Sequence, residues 1–248
     1  MDGRCALTPG TVLKLSTKTG YRDYTIAREI GRGGTCIVYD ASYTDNLGNY
    51  KLVRIKECYP YALRISRDGD GELRAEERDL DAFDEARKRI TSGYQRNHDL
   101  FMRSTLTNMV SNNSDIYTAN NTVYIVSVYM NGRTFADFQG NSLHDCVSLV
   151  LGAARALQRV HEAGYLYLDL KPDNILTISG SMDLVQLFDF DSVISMEELK
   201  EAIRDNDPGR LRTSYTRGYA PLEQQTGRLR QIGKHTDLFS LGAVLFNA

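Results

Sequence analysis

The chain has 248 residues, 42% hydrophobic and 25% charged, which is the composition of an ordinary soluble protein with a sizeable core. Its formal net charge of −2 gives no bulk electrostatic reason to expect nucleic acid or an anionic membrane as a partner. The four cysteines lie far apart without a C-x-x-C pair, which favours reduced thiols over a disulfide framework or a zinc site.

A polar start and a strand-rich region are predicted first. Residues 1–22 are polar, with turn-forming residues at Pro9-Gly10 and Gly20, and predict an N-terminal arm. Strands are predicted over 24–30, 37–43 and 50–57, with a glycine-rich turn between the first two. Small residues in such a turn let backbone N–H groups approach phosphate oxygens. Taken alone, this turn is better explained as a tight hairpin without a ligand.

Two long helices are predicted from apolar residues that recur at helical spacing. One covers residues 79–102, and the other runs from Leu143 until Gly164 ends it. Between them, residues 115–118 and 122–129 read as strands on either side of a favourable Asn-Asn turn. A strand hairpin is therefore expected between the two helices.

Residues 165–176 contain an acid, an ammonium group and an amide within six positions, between two apolar runs. These are Asp169, Lys171 and Asn174. In phosphoryl transfer, an Asp in this position accepts the proton of the acceptor hydroxyl. A Lys two residues later neutralises charge on the moving group, and an Asn five residues after the Asp holds Mg²⁺.

A second acidic site, Asp189, follows the end of another apolar run. Short strands predicted over 175–178 and 184–188 form a hairpin that begins after Asn174 and ends before Asp189. Both side chains can therefore face one metal ion. Each polar residue alone would be an ordinary surface side chain, so the weight of the pattern comes from the order of its motifs.

That order resembles the eukaryotic-type (Hanks-type) protein kinases. Residues 169–174 and 189–191 resemble the catalytic loop and the metal-binding motif of that family, and 53–56 (V-R-I-K) resemble its V-A-I-K strand. Residues 216–224 resemble a segment of bacterial Ser/Thr kinases, which places Thr216 in contact with Asp169 and Lys171. The resemblance covers about residues 24–247.

The resemblance implies an α+β, two-lobed protein kinase fold. Residues 23–130 would form an N-lobe with an antiparallel sheet and a helix, after the arm at 1–22. Residues 131–248 would form a mainly helical C-lobe that is incomplete at its C-terminus. In the larger lobe, Asp237 would either hydrogen-bond the catalytic-loop backbone or cap its own helix.

The implied reaction is transfer of the γ-phosphoryl group of Mg-ATP to Ser or Thr hydroxyls of proteins. Asp169 would act as the base, Lys171 would stabilise charge in transit, and Lys56 would grip the α- and β-phosphates. Asn174 and Asp189 would hold the Mg²⁺.

The resemblance also implies an ATP site built from the glycine hairpin, the strand lysine, the hinge and one C-lobe side chain. Its residues would be Ile30, Gly31, Arg32, Gly33, Gly34, Val38, Lys56, Val128, Met130 and Leu176. In the hinge, the backbone at about Val128 and Met130 would hydrogen-bond adenine.

Five residues depart from the usual family pattern. Cys36 stands at the third-glycine position, and Arg54 replaces the small residue expected against adenine, which could narrow the nucleotide pocket. Tyr167 stands where His is usual, and Asp191 replaces a Gly. Leu168 replaces the Arg that normally pairs with a phosphorylated activation loop. We therefore expect activity to depend little on phosphorylation of that segment.

Two questions stay open at this stage. The helix partner of Lys56 is either Glu85, which has the right local pattern, or lies near Gln95, which would replace an ion pair with an amide contact. The alternative function is a pseudokinase or ATP-binding scaffold with weak or no turnover, which Arg54 and Cys36 favour. A small-molecule kinase is disfavoured, because such kinases generally lack the 216–224 segment.

The expected partners are protein substrates with Ser or Thr acceptors, without nucleic acid. The N-terminus has no apolar run suited to a signal peptide, and no stretch approaches the roughly 18 apolar residues of a membrane span. With the cysteine pattern, this predicts a cytoplasmic protein, although an anchor after residue 248 stays compatible with the sequence. The oligomeric state is not predicted.

Overall fold

The structure is a computed structural model. The residues it describes are 2–17, 20–103, 114–129, 132–137, 142–178, 185–206, 211 and 215–247. The chain divides into two compact units, the first made of residues 1–94 and 113–129 and the second of 95–112 and 130–248. Each unit has its own apolar clusters.

The first unit contains a six-stranded antiparallel sheet and a separate two-stranded hairpin. Its strands are β1 (Val12–Thr17), β2 (Gly20–Arg32), β3 (Cys36–Thr44), β4 (Tyr50–Cys58), β5 (Ile65–Arg67), β6 (Leu73–Ala75), β7 (Ser114–Ala119) and β8 (Thr122–Val128). The large sheet has the order β1-β2-β3-β4-β8-β7, and β5 pairs with β6.

Side chains along β4 alternate between a buried face and a partly exposed face of this sheet. Val53, Ile55 and Glu57 are buried, whereas Arg54 and Lys56 lie on the opposite face and are partly exposed. The β7–β8 turn is also as predicted, since Asn120 and Asn121 both adopt positive φ, at 50° and 56°.

Helix α1 (Leu80–Arg103) completes the core of the first unit with Phe83, Ala86 and Ile90. These are three of the four apolar residues whose spacing predicted the helix. Leu100, near its end, belongs to a cluster of the second unit.

The predicted N-terminal arm contains a strand that sequence reasoning missed. Leu13 and Leu15 of β1 are buried, and β1 pairs with β2 from Val12 opposite Thr25 to Thr17 opposite Gly20. The two leucines alternate with polar residues, which is the pattern of a half-buried strand. The polar composition of the surrounding segment concealed it.

The second unit is mainly helical among the residues that the structure describes. Its helices are α2 (Leu143–Glu162), α3 (Met196–Arg204), α4 (Leu222–Gln225) and α5 (Lys234–Phe246), and its strands are β9 (Gly132–Thr134), β10 (Tyr165–Leu166), β11 (Ile175–Ile178), β12 (Val185–Leu187) and β13 (Ile194–Ser195). Strand β11 pairs with both β12 and β9, and β10 pairs with β13.

Helix α2 begins at a capping box, in which Ser142 and Asp145 exchange hydrogen bonds. The chain leaves it through Gly164, whose φ of 89° suits a residue without a side chain. Leu149, Ala153 and Val160 are fully buried on one face of the helix. Of the apolar residues whose spacing predicted this helix, Leu157 and Val160 are buried, but Val147 and Leu151 are exposed, so the spacing predicted the helix and not its buried face.

Candidate active site

The backbone before Asp169 is held by a buried carboxylate. Asp237, in α5, is fully buried and accepts hydrogen bonds from the backbone N–H groups of Tyr167 (2.9 Å) and Leu168 (2.7 Å). His161 Nε2 lies 2.7 Å from the same carboxylate. Of the two roles expected for Asp237, contact with the loop backbone is the one observed.

Leu168 has a conformation that most side chains avoid. Its φ is 62°, in the left-handed region, which costs on the order of 1–2 kcal/mol for a residue with a Cβ. Two contacts compensate: its N–H donates to Asp237, and its carbonyl accepts from Gln224 Nε2. The turn at Leu168 sets the direction from which Asp169 leaves the backbone.

Polar groups of Lys171 and Thr216 contact the Asp169 side chain. Lys171 Nζ donates to Asp169 Oδ2 at 3.0 Å, and Thr216 Oγ1 donates to Asp169 Oδ1 at 2.7 Å. Lys171 Nζ also reaches Thr216 Oγ1 at 3.2 Å. The expected contact of Thr216 with both residues is therefore confirmed. An acid, a cation and an alcohol meet within hydrogen-bond distance.

Asn174 is oriented by the same loop. Its Nδ2 donates to the backbone carbonyl of Asp169 at 2.9 Å, so its amide oxygen is directed away from that contact. The N–H of Phe188 donates to the carbonyl of Asn174 at 3.2 Å, and Ile175 pairs with Leu187 between them. This register brings Asp189, the next residue, to the end of the hairpin where Asn174 lies.

The turn at Asp189 is fixed by its neighbours. Asp189 has a φ of 65°, and the Tyr167 hydroxyl donates to the carbonyl of Phe188 just before it. The Tyr167 ring also packs edge-on against Phe190, with centroids 5.5 Å apart. Tyr167, where His is usual in the kinases, thus links the catalytic-loop candidate to the second acidic motif.

An amide oxygen and a carboxylate suit a hard cation such as Mg²⁺, which uses few protein ligands and keeps waters or phosphate oxygens. Asn174 and Asp189 fit that donor set. In the part of the chain that the structure describes, no group of three or more His, Cys, Asp or Glu side chains gathers as a metal site.

The glycine hairpin joins β2 and β3 in the first unit. Gly33 N–H donates to Cys36 O at 2.9 Å, and Gly31 pairs with Val38. A Cβ added at Gly31 or Gly34 would meet no protein atom within 4 Å. Packing within the protein does not require these glycines, which is consistent with the approach of an external group to the backbone.

Lys56 lies opposite Val38 on the neighbouring strand, on the same face of β4 as Arg54. The Arg54 side chain is partly exposed, with its Nε 3.7 Å from Asp40 Oδ1 and its guanidinium 5.3 Å from the Tyr129 ring. Arg54 is therefore held across the sheet by neighbouring strands.

The remaining predicted nucleotide contacts differ in exposure. Ile30 and Val128 are exposed, whereas Leu176 is buried on β11. Arg32 forms an ion pair with Glu29 at 2.6 Å. Met130 lies outside the described residues.

The comparison with known families decides the identity of the fold. The family model described as the protein kinase domain matches residues 83–248, more than half of the chain. The chain belongs to the protein kinase domain family. The predicted fold class is thereby confirmed, with an antiparallel sheet and α1 in the N-terminal part and mainly helices in the C-terminal part.

Relatives of this kinase domain are named as probable serine/threonine-protein kinases. One from Clostridium perfringens is 30% identical over 141 residues, 55% of this chain and 19% of that protein. PknB of Bifidobacterium longum is 29% identical over 127 residues, 50% and 17% of the two chains. One from Streptomyces coelicolor is 26% identical over 230 residues, which are 90% of this chain and 29% of that protein.

The kinase domain thus spans less than a third of the length of each of these relatives. None of them lends support to the pseudokinase alternative. Among the described residues, no helix combines the length and apolar character needed to cross a membrane.

Neither residue proposed as the helix partner of Lys56 has a buried environment in this kinase domain. Glu85 is exposed and pairs with Lys88 on its own helix at 2.8 Å, and this contact lowers the pKa of Glu85. Gln95 is exposed as well. The question of the partner therefore stays open.

The buried acid of the N-terminal part is Glu57, which sequence reasoning did not single out. Its two oxygens accept hydrogen bonds from the hydroxyls of Tyr39 and Tyr124, both at 2.8 Å, and from Arg67 at 2.7 Å. Burial, followed by the charge of Glu57, raises the pKa of Tyr39 and of Tyr124. An acid at a core position of the predicted strand was the available signal.

The segment after the second acidic motif of the kinase contains an unpredicted helix, α3. Residues 192–217 are polar overall and rich in Ser, Thr and Arg, and 207–210 and 212–214 lie outside the described residues. The capping box between Ser195 and Glu198 at the start of α3 has the S-x-x-E pattern, which was the signal in the sequence.

Proposed function

We propose that this kinase domain transfers the γ-phosphoryl group of Mg-ATP to Ser or Thr hydroxyls of proteins, with Asp169 as the base. The observation that carries the proposal is the contact of Lys171 Nζ (3.0 Å) and Thr216 Oγ1 (2.7 Å) with the Asp169 carboxylate, together with the 3.2 Å contact between Lys171 and Thr216. An alcohol oxygen already lies between the acid and the cation in this arrangement.

In the proposed reaction, the acceptor hydroxyl donates to Asp169 Oδ1 as the Thr216 hydroxyl does, and Asp169 takes its proton. Lys171 Nζ, 3.0 Å from the other Asp169 oxygen, stabilises negative charge that moves with the phosphoryl group. The loop contributes mainly orientation and charge, since phosphoryl transfer requires little covalent work from the protein.

The metal and the nucleotide would be held by other predicted residues. Asn174 and Asp189 would hold Mg²⁺, which would neutralise negative charge on the phosphate groups. Lys56 would pair with the α- and β-phosphates, and the backbone of the glycine hairpin would lie over them. Val128 and Met130 would offer hinge backbone groups to adenine, with Ile30, Gly31, Arg32, Gly33, Gly34, Val38 and Leu176 around the nucleotide.

The proposed acceptors are proteins, in keeping with the names of the relatives and with residues 216–224. We place the protein in the cytoplasm, because its four cysteines lie far apart in the sequence without a C-x-x-C pair, a pattern that favours reduced thiols.

The test is an ATP-consumption and autophosphorylation assay on the purified full-length protein. Asp169→Asn and Lys56→Met are expected to abolish both signals. Asp173→Asn removes an exposed acid from the same loop and serves as the matched control, with activity expected to be retained. Equal signals from the wild type, Asp169→Asn and Lys56→Met would remove the enzyme proposal.

The metal assignment has a separate readout. Binding of a fluorescent ATP analogue by the wild type is expected to strengthen when Mg²⁺ is added. Asp189→Asn and Asn174→Ala are each expected to weaken that Mg²⁺ dependence. An unchanged dependence in both variants would contradict these ligands.

A further inference from the structure

Helix α3 is attached at its start to the strand that leads into the Asp169 loop. Ile194 and Ser195 of β13 pair with Leu166 and Tyr165 of β10, and Met196 N–H donates to Gly164 O at 2.8 Å. The helix therefore begins beside the strand that ends three residues before Asp169.

The first turn of α3 is closed by its own side chains. Ser195 Oγ accepts the Glu198 N–H at 3.0 Å, and Glu198 Oε2 accepts the Ser195 N–H at 2.7 Å. A reciprocal cap of this kind satisfies donors that a helix start otherwise leaves without partners. The nine-residue helix is thus specified locally, although the segment is polar overall.

One face of α3 is apolar and buried with the Asp169 loop. Leu199 and Ala202 share a cluster with Leu168, the residue immediately before Asp169. We call this cluster the apolar seam; its members are Leu166, Leu168, Ile194, Leu199, Ala202, Leu229 and Ile232. The seam joins the loop, α3 and the stretch around residues 229–232.

Among the seam residues, Leu168 has the least favourable backbone conformation, which its packing and hydrogen bonds must stabilise. Its backbone is left-handed and is held by Asp237 and Gln224, but its side chain is 1% exposed and depends on the seam. An apolar side chain here gives α3 a surface to pack on, where an Arg would present a charge.

A polar contact aligns α3 from its other side. Glu198 Oε1 accepts from Arg96 Nη2 at 2.8 Å, while Glu198 Oε2 closes the helix cap. Arg96 belongs to the part of α1 that lies in the second unit. Glu198 therefore links the start of α3 to a second helix of the same unit.

We propose that α3 positions the catalytic loop through the seam, with Leu199 as the principal positioning residue. Leu199 keeps the Leu168 side chain packed and so preserves the backbone direction from which Asp169 projects. The kinetic part of this inference rests on the proposed function, whereas its structural part does not.

The experiment compares Leu199→Ala, Leu199→Met and Leu149→Ala in the full chain. Leu149→Ala is the matched control, because it removes the same atoms from a fully buried site in another cluster. Thermal unfolding fixes a temperature at which all three variants are folded. Phosphoryl transfer is then measured as kcat and KM for ATP, and amide hydrogen exchange is measured over residues 165–171.

We expect Leu199→Ala to lower kcat about tenfold or more, with KM for ATP within about twofold of the wild type. Leu199→Met, of similar volume, is expected to restore kcat. Exchange of the Tyr167 and Leu168 amides should accelerate in Leu199→Ala only. Unchanged kcat and exchange in Leu199→Ala would overturn the proposal, as would an equal loss in Leu149→Ala.

The two proposals fail in different ways. A wild-type protein without phosphoryl transfer would remove the proposed function, and amide exchange alone would then decide the role of α3. Exchange that accelerates at Leu168 in Leu199→Ala would still support the seam. Active wild-type protein with no response to Leu199→Ala would remove the seam and leave the proposed function intact.

Discussion

Replacement of Asp237 by Asn tests how the loop before Asp169 is held. Asp237 is fully buried, and its carboxylate accepts from the amides of Tyr167 and Leu168, with His161 Nε2 at 2.7 Å. Asn keeps the shape of the Asp side chain but has one acceptor oxygen instead of two. Its NH₂ group would therefore face a backbone N–H that can no longer donate.

The expected loss of stability follows from these contacts. A buried amide without an acceptor costs about 1–3 kcal/mol, and replacing charge-assisted bonds with neutral ones costs about 1 kcal/mol more. We therefore expect Asp237→Asn to lower the free energy of unfolding by about 2–4 kcal/mol. This is a large fraction of the roughly 5–15 kcal/mol that holds a domain together.

Activity should fall as well, because the same amides direct the backbone into Asp169. A displacement near 1 Å at a reacting group can cost about 10²-fold in rate, so we expect kcat to fall about 100-fold. Urea denaturation followed by circular dichroism gives the stability, and labelled ATP gives the rate. Asp173→Asn is the control. A change in unfolding free energy below about 0.5 kcal/mol, with kcat unchanged, would refute this reasoning.

Three further outcomes are expected. Glu57→Gln leaves the buried Arg67 guanidinium without its carboxylate and should lower the free energy of unfolding, measured with urea, by about 3–5 kcal/mol. Glu85→Gln, at an exposed site, should change the same free energy by less than about 0.5 kcal/mol, and equal effects of the two variants would contradict the observed burial. Phosphatase-treated protein should keep its ATP turnover, because Leu168 offers no guanidinium to a phosphate; turnover that appears only after phosphorylation would contradict this. Burial by itself would raise the pKa of Glu198, but its backbone and guanidinium partners outweigh burial and lower that pKa from 4.5. Its ionised form should therefore add up to about 1 kcal/mol above about pH 4.5, and this should be lost as pH falls further; a melting-temperature difference between wild type and Glu198→Gln that is the same at pH 7 and pH 3 would contradict it.

Local patterns predicted most of the elements. Strands β3 and β4 and helices α1 and α2 lie close to their predicted bounds, because alternation and helical spacing indicate the type of element. Strand β2 begins at Gly20, before its predicted start at residue 24. The turn at Asn120 and Asn121 was predicted because the positive φ angles of a tight hairpin suit Asn.

Two of the elements that were missed, β1 and α3, were concealed by composition. Strand β1 has its two buried residues, Leu13 and Leu15, inside a polar segment, and α3 lies in a stretch rich in charged and hydroxyl side chains. In both cases a short signal was present: alternation in β1, and a capping box at Ser195 and Glu198 in α3. A pattern of a few residues is easily overlooked when the long segment around it is polar.

Local spacing predicted the residues of the candidate site, whereas the contacts of Thr216 and Asp237 were expected only from the family resemblance. The sequence places Asp169, Lys171 and Asn174 within one loop, so their proximity follows from spacing. It does not show that Asp237, about 70 positions away, accepts the loop amides, or that Arg67 meets Glu57. Such contacts depend on tertiary packing, which a local pattern does not encode.

The most direct test of the central claim is the rate of phosphate transfer to a protein hydroxyl at saturating Mg-ATP, for the wild type and Asp169→Asn. Loss of a general base typically costs about 10²–10⁴-fold, so we predict a rate at least 100-fold lower in Asp169→Asn and a wild-type rate in Asp173→Asn. Equal rates for the wild type and Asp169→Asn would contradict the account.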